Sequence, residues 1–194
     1  MIFAYFLLLA AASPTSVISA NDYPAGALTR NEQGATFFQI VIRPDGNPDT
    51  CSVLISSGYR ELDDTTCKLM LKRARFAPVQ GSDVKAIYAV YRGTMTWAID
   101  APISRVRGAD FDLEINRVPA GVTLPVEFKV SYFHGGNGSF GQCTAVEADE
   151  RPPVVLSDLA CKAVSQSPGD PIRNSQGQLV DAMDEALVKF SLKK

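Results

Sequence analysis

Residues 62–68 read LDDTTCK, and residues 156–162 read LSDLACK. Both follow L-x-D-x-x-C-K. In the first stretch, Asp63 and Asp64 open a helical pattern that closes on Lys72, Arg73 and Arg75. Acid first and base last is the order the helix dipole favours. Cys67, Met70, Leu71 and Ala74 stand at i, i+3, i+4 and i+7, which predicts the buried stripe of a helix over about 62–75.

Upstream, ATFFQIVIR at 35–43 alternates, with Thr36, Phe38, Ile40 and Ile42 on one face. Pro44-Asp45-Gly46-Asn47-Pro48 is turn chemistry. A second strand over about 50–56 puts Cys51, Val53 and Ile55 on its apolar face. If the helix packs on that strand, the sulfurs of Cys51 and Cys67 meet. Closing a loop of that length is worth about 3 kcal/mol in the loop-entropy model. A short helix is expected over 24–30, with Pro24 in its first turn. The longest strand candidate is 85–99, where Ile87, Ala89, Tyr91, Met95, Trp97 and Ile99 share a face. Gly93 weakens its middle or marks a bulge. The first half therefore reads as α+β, a small antiparallel sheet with two helices on one face.

The second half repeats the order. VEFKVSYF at 126–133 alternates, HGGNGSFG makes a turn, and Cys143 opens a weak strand. Ser157 is a good N-cap for a helix carrying Cys161 and Val164. A last strand is expected over 185–192. Cys51 precedes Cys67 by 16 residues and Cys143 precedes Cys161 by 18; Trp97 follows Cys67 by 30 and Phe190 follows Cys161 by 29. Letters and spacings together predict a tandem duplication, 21–100 and 101–194, with one disulfide in each copy. Pairing across the halves stays open at this level.

The chain has 194 residues and a net charge of −2, which argues against a nucleic-acid surface. Residues 1–20, MIFAYFLLLAAASPTSVISA, read as a signal peptide with Ile18-Ser19-Ala20 at the cleavage site. No Lys or Arg precedes the apolar run Ile2–Ala12. That run reaches roughly 16 Å as a helix, about half of a hydrocarbon core, and Pro14 interrupts it. A mature chain without a stable membrane span is expected, with a retained anchor as the alternative. In an exported protein an even number of cysteines points to disulfides. There is no C-x-x-C, and a single His gives a Cys/His zinc site no support. Without a nucleophile–base pair, metal set or cofactor loop, neither enzyme activity, metal nor cofactor is expected. His134 reads as an exposed loop residue. Asp63 and Asp64 read as helix-capping rather than catalytic, and GGNG at 135–138 as a hairpin turn rather than a phosphate loop.

Several pieces of the first half form an ordered set. They are Tyr23-Pro24; Gly34 through Pro44-Asp45-Gly46; Val53 through Ser56-Ser57-Gly58; Leu62-Asp63; and Arg73-Ala74-Arg75-Phe76-Ala77-Pro78. Over about 22–99 this set resembles the TonB C-terminal domain. The second half joins only through its likeness to the first. The resemblance implies a periplasmic module in the bacterial envelope that docks on TonB-dependent outer-membrane receptors. The receptor's extended TonB box would add as a strand beside the module's last strand, so that backbone hydrogen bonds give affinity and side-chain pockets give selectivity. The implied binding set is Ala86, Tyr88, Val90, Tyr91 and Arg92 on the strand, with Tyr23 and Pro24 near the receptor contact. Taken by themselves, Tyr88, Tyr91 and Arg92 fit either a peptide-binding edge or the solvated side of a strand. The chain departs from the family at Gly26, where an Arg is common, and in lacking a Pro-rich spacer. The expected function is a periplasmic TonB-like binding module that recognises an extended peptide of an envelope or outer-membrane receptor partner by strand addition. The alternative is an energy-coupling component of TonB-dependent transport with an uncleaved anchor. A second copy covering the binding edge of the first is a further option, since exposed edges are often masked.

Overall fold

In the first half, alternation and turn chemistry produce a hairpin. The strands β1 (Gly34–Ile42) and β2 (Pro48–Ile55) pair antiparallel around Asp45–Asn47. The computed structural model describes residues 17–81, 83–99, 103, 108–146, 152–167 and 169–193. The chain divides into two units, Met1–Val106 and Arg107–Lys194.

The first unit adds to that hairpin α1 (Ala25–Thr29), α2 (Arg60–Arg73), a short β3 (Val79–Gln80) and β4 (Ala86–Trp97). Its β1 lies between β2 and β4 and is antiparallel to both. Phe38, Ile40 and Ile42 of β1 join Ala89 and Trp97 of β4, Ala27 of α1, Leu62 and Met70 of α2, and Phe76 in one core. The α+β expectation of helices on one face of a small antiparallel sheet holds here. Ala35, Phe37 and Val41, on the other face of β1, are buried as well.

Two expectations fail at the margins. The first is the inward face of α2, which carries Leu62, Asp63, Thr66 and Met70, while Leu71 is 40% exposed. Cys67 reaches sideways to the outer strand β2, so the stripe facing the sheet lies about one residue round the helix. The second is β2, where Val53 and Ile55 are exposed and no longer share a face. Phe37 pairs with Ile55 and Phe38 with Val53, which leaves Leu54 as an extra residue in a bulge. An extra residue resets the alternation of everything beyond it.

The second unit contains β5 (Phe111–Ile115), β6 (Val126–His134), β7 (Phe140–Ala145), α3 (Val154–Gln166) and β8 (Ala182–Leu192). Antiparallel pairing sets β6 between β7 and β8. Phe128, Val130 and Tyr132 of β6 pack with Leu156, Ala160 and Val164 of α3 and Ala186, Val188 and Phe190 of β8. The helix starts a turn earlier than expected, with Pro153 in the N-cap position. Ser157 lies inside the first turn, where its Oγ donates to the Pro153 carbonyl at 3.4 Å. His134 is the last residue of β6 and only 1% exposed, not a loop residue; its Nδ1 has no hydrogen-bond partner. The strand runs on into the first residue of the expected turn, and Gly135 N–H closes that turn on Ser139 O at 2.8 Å.

Both disulfides form within their halves. Cys51 binds Cys67 with Cα atoms 5.5 Å apart, and Cys143 binds Cys161 with Cα atoms 5.7 Å apart.

Most of the expected signal peptide, residues 1–16, lies outside the described residues. Val17 and Ile18 are buried in the core of the first unit. Arg73 Nη1 donates to Val17 O at 3.1 Å and, with Nη2, holds the Asp22 carboxylate at 2.7 Å on both oxygens. That guanidinium keeps Asp22 well below the usual carboxylate range. Cleavage after Ala20 would remove both buried side chains. Burial is worth about 1.5–3 kcal/mol for each, partly offset by about 1–2 kcal/mol per residue of ordering entropy. A chain starting at Ser19 is expected to be about 1.5 kcal/mol less stable than one starting at Val17. Urea unfolding followed by Trp97 fluorescence checks this, and equal midpoints would show that the segment contributes nothing.

Candidate functional site

The strand singled out by the sequence is β4. It pairs residue for residue with β1 from Ala89 to Trp97 without a register shift, so Gly93 does not mark a bulge. Its role is space, since a Cβ there would lie 2.8 Å from the ring of Tyr91. That ring packs on Phe76 at 5.5 Å and on Phe38 at 6.2 Å between centroids. Tyr91 therefore belongs to the helix-side core. The strand neighbours Tyr88, Val90 and Arg92 lie on the opposite face, with Val90 buried beside Val41 and the other two half-buried. Ala86, at the start of β4, pairs with Gln80 of β3.

At the other end of β4, Tyr23 packs its ring edge-on against Trp97, with centroids 5.4 Å apart at 80°. Its hydroxyl donates to Glu32 O at 2.5 Å. Burial and the nearby Glu32 charge push the Tyr23 phenol up. Pro24 takes the N-cap position of α1. The seven expected binding residues thus do not form one surface. Tyr23 and Pro24 sit by Trp97, while Ala86 lies at the far end of a strand roughly 35 Å long.

The residues carrying the family resemblance have a second role that the sequence did not disclose. The Asp63 carboxylate is buried and accepts from Thr36 Oγ1 at 2.7 Å, Ser56 Oγ at 2.5 Å and the Ser57 amide at 2.9 Å. Thr36, Ser56-Ser57 and Asp63 all lie within the ordered pieces quoted above. They fasten the β2–α2 connection and the start of α2 to β1. Asp63 is therefore not a helix cap, because its partners lie outside the helix. Burial pushes its pKa up, but the hydrogen bonds from Ser56, Ser57 and Thr36 outweigh burial and hold it below the usual carboxylate range. Asp64, its neighbour, is exposed and meets only Arg60, at 3.3 Å. A further motif contact joins Gly46 to Phe76. The glycine has φ +81°, and a Cβ on it would lie 2.1 Å from Phe76 O. Phe76 N–H in turn donates to Gly46 O at 3.0 Å.

Gly26 stands against an ion cluster. A Cβ there would lie 2.7 Å from Glu61 Oε2 and 3.1 Å from Arg30 Nη1. The guanidinium of Arg30 is held by Glu32 at 2.6 Å and Glu61 at 2.5 Å. Arg30 thus brings a cation beside the position where the family commonly carries an Arg. No spacing rule would have pointed to it. An open cavity beside the cluster is lined by Arg30, Arg60 and Lys68 and by Glu32, Glu61 and Asp64. Its cations and carboxylates balance, so it offers no net field to select a charged ligand. Among the described residues no His/Cys/Asp/Glu cluster fits a metal, and no helix is long and apolar enough to cross a membrane. The two disulfides fit an oxidising compartment.

No curated protein and no solved structure matches the chain. The family model for the Gram-negative bacterial TonB protein C-terminal matches residues 19–92, so over that stretch the first unit is similar to a TonB-like envelope or transport-related domain.

Proposed function

We propose that this chain is a periplasmic binding module that takes up an extended peptide of an envelope or outer-membrane receptor partner by strand addition along β4. The observation that carries the reading is the contact of Tyr23 with Trp97, inside a domain that matches the TonB C-terminal family. It brings the Tyr-Pro segment to the end of the strand on which a partner would add. An added strand gains backbone hydrogen bonds along its length, and side chains at alternate positions supply selectivity. Binding rather than catalysis is the role. The buried carboxylate of Asp63 already has three donors fastening the fold.

The test is titration of the full chain with synthetic peptides from receptor amino-terminal segments that carry TonB boxes. Saturable binding is expected, with slower amide exchange along 86–97. No binding by any such peptide would remove the receptor from this reading.

A further inference from the structure

The second unit contains a strand beyond those expected from the sequence. Residues 111–115, FDLEI, form β5, which pairs parallel with β8 as Phe111↔Val188, Asp112↔Lys189, Leu113↔Phe190, Glu114↔Ser191 and Ile115↔Leu192. Asp110 fixes its start, where the amide donates to Leu187 O and the carboxylate accepts from Leu187 N–H, both at 2.8 Å. Lys193 N–H closes its end on Ile115 O at 3.0 Å.

Two features describe how β5 is held. First, among the described residues the fully buried core of this unit comes from β6, α3 and β8, and β5, like β7, adds only partly buried side chains to it. Phe111, Leu113 and Ile115 are only half-buried and pack on the outside of that core, while Asp112 and Glu114 are exposed. Second, among the described residues its strand pairing is with β8, in parallel, and a long connection separates the two, whereas a short turn joins β7 to β6. A segment held by backbone pairing, with alternate apolar side chains seated on a finished core, is bound the way an added peptide is bound. In its own unit, moreover, β8 holds the place that β4 holds in the first. Ile40 pairs with Cys51 on one side and Tyr91 on the other, and Tyr132 pairs with Cys143 and Asp184. Trp97 and Phe190 each follow six residues later.

We propose that the Val188–Leu192 edge of β8 is a strand-addition site whose resident occupant is β5, and that a partner's extended segment displaces it. The occupant defines the ligand class, which is apolar residues at three alternate positions with acidic residues between them. Lys189 lies opposite Asp112, and Lys193 follows the end of the pairing, so the edge favours acids at the intervening positions. Tethering gives β5 a high effective concentration, so a partner must bind tightly or act when β5 is weakened. The inference concerns the second unit and stands whether or not β4 takes a receptor peptide.

The experiment uses the full oxidised chain and a labelled peptide of the sequence GADFDLEINR, residues 108–117. The variant Phe111→Ser with Leu113→Ser loosens the resident strand. It is expected to bind the peptide at least tenfold more tightly than the unsubstituted chain. Amide protection at 188–192 should fall in the variant and return with peptide, while protection at 126–134 stays unchanged throughout. A peptide with Lys in place of both acids should bind at least tenfold more weakly. Loss of protection across 126–134 in the variant would make β5 part of the core and overturn the proposal. Failure of a variant with intact 126–134 protection to bind the peptide would overturn it too. Equal binding of the charge-reversed peptide would overturn the acidic preference.

Discussion

Asp63→Ala is expected to lower the stability of the first unit by about 4 kcal/mol. The substitution removes the acceptor for Thr36, Ser56 and the Ser57 amide at once. Hydrogen bonds to a charged group contribute about 1.5–3 kcal/mol each, and donors left buried without an acceptor cost about 1–3 kcal/mol. Water reaching the exposed Ser56 and the half-buried Ser57 offsets part of that sum. At a urea m-value of about 2 kcal/mol/M, the midpoint should fall by roughly 2 M. Trp97, the single tryptophan of the chain, is buried in this core and donates to Thr66 Oγ1 at 2.9 Å, so its fluorescence reports the loss. Asp63→Asn keeps the shape and one acceptor oxygen and should cost about half as much.

The same carboxylate predicts a pH dependence. Its folded pKa lies below the unfolded value near 3.9. The stabilisation is therefore fully present above about pH 4 and is lost as pH falls through the folded value. Asp22, held down by Arg73, acts in the same direction. Stability of the Asp63→Asn chain should fall less steeply below pH 4 than that of the unsubstituted chain, and parallel curves would refute the assignment.

Removal of either disulfide is expected to cost about 3 kcal/mol, the loop-closure entropy for separations of 16 and 18 residues. The effects should be local. Cys51→Ala with Cys67→Ala should move the Trp97 transition. Cys143→Ala with Cys161→Ala should raise amide exchange in β6 and β8. A change below about 0.5 kcal/mol for either pair would show that the reduced chain already holds the helix on its strand by packing alone.

The disulfides were legible as an expectation because each cysteine sits in a locally readable element, and the structure decided that both pair within their halves. Strand alternation and helix stripes depend on nearby residues, and they located β1, β4, β6, α2 and α3 to within a few positions. Three features escaped that reading because they depend on partners far along the chain. Leu54 becomes a bulge only through the register of β2 against β1. FDLEI alternates, but its parallel seating on the core depends on β8 lying beside it. His134 is buried because β6 runs on into the first residue of the expected turn. The binding set divided for a related reason. Tyr91 and Arg92 are neighbours on one strand, so they point to opposite faces, and Phe38 and Phe76 claim the tyrosine.

Composition, periodicity and cysteine spacing were enough to specify an α+β chain, its antiparallel hairpins and the strand and helix that carry the cysteines of each half, because all of these follow from local order along the backbone. The use of Asp63 as a buried fastening, the parallel seating of β5 and the split of Tyr91 from its neighbours came from tertiary packing. Each depends on which distant segment arrives at a given face or edge, and short-range pattern carries no record of that.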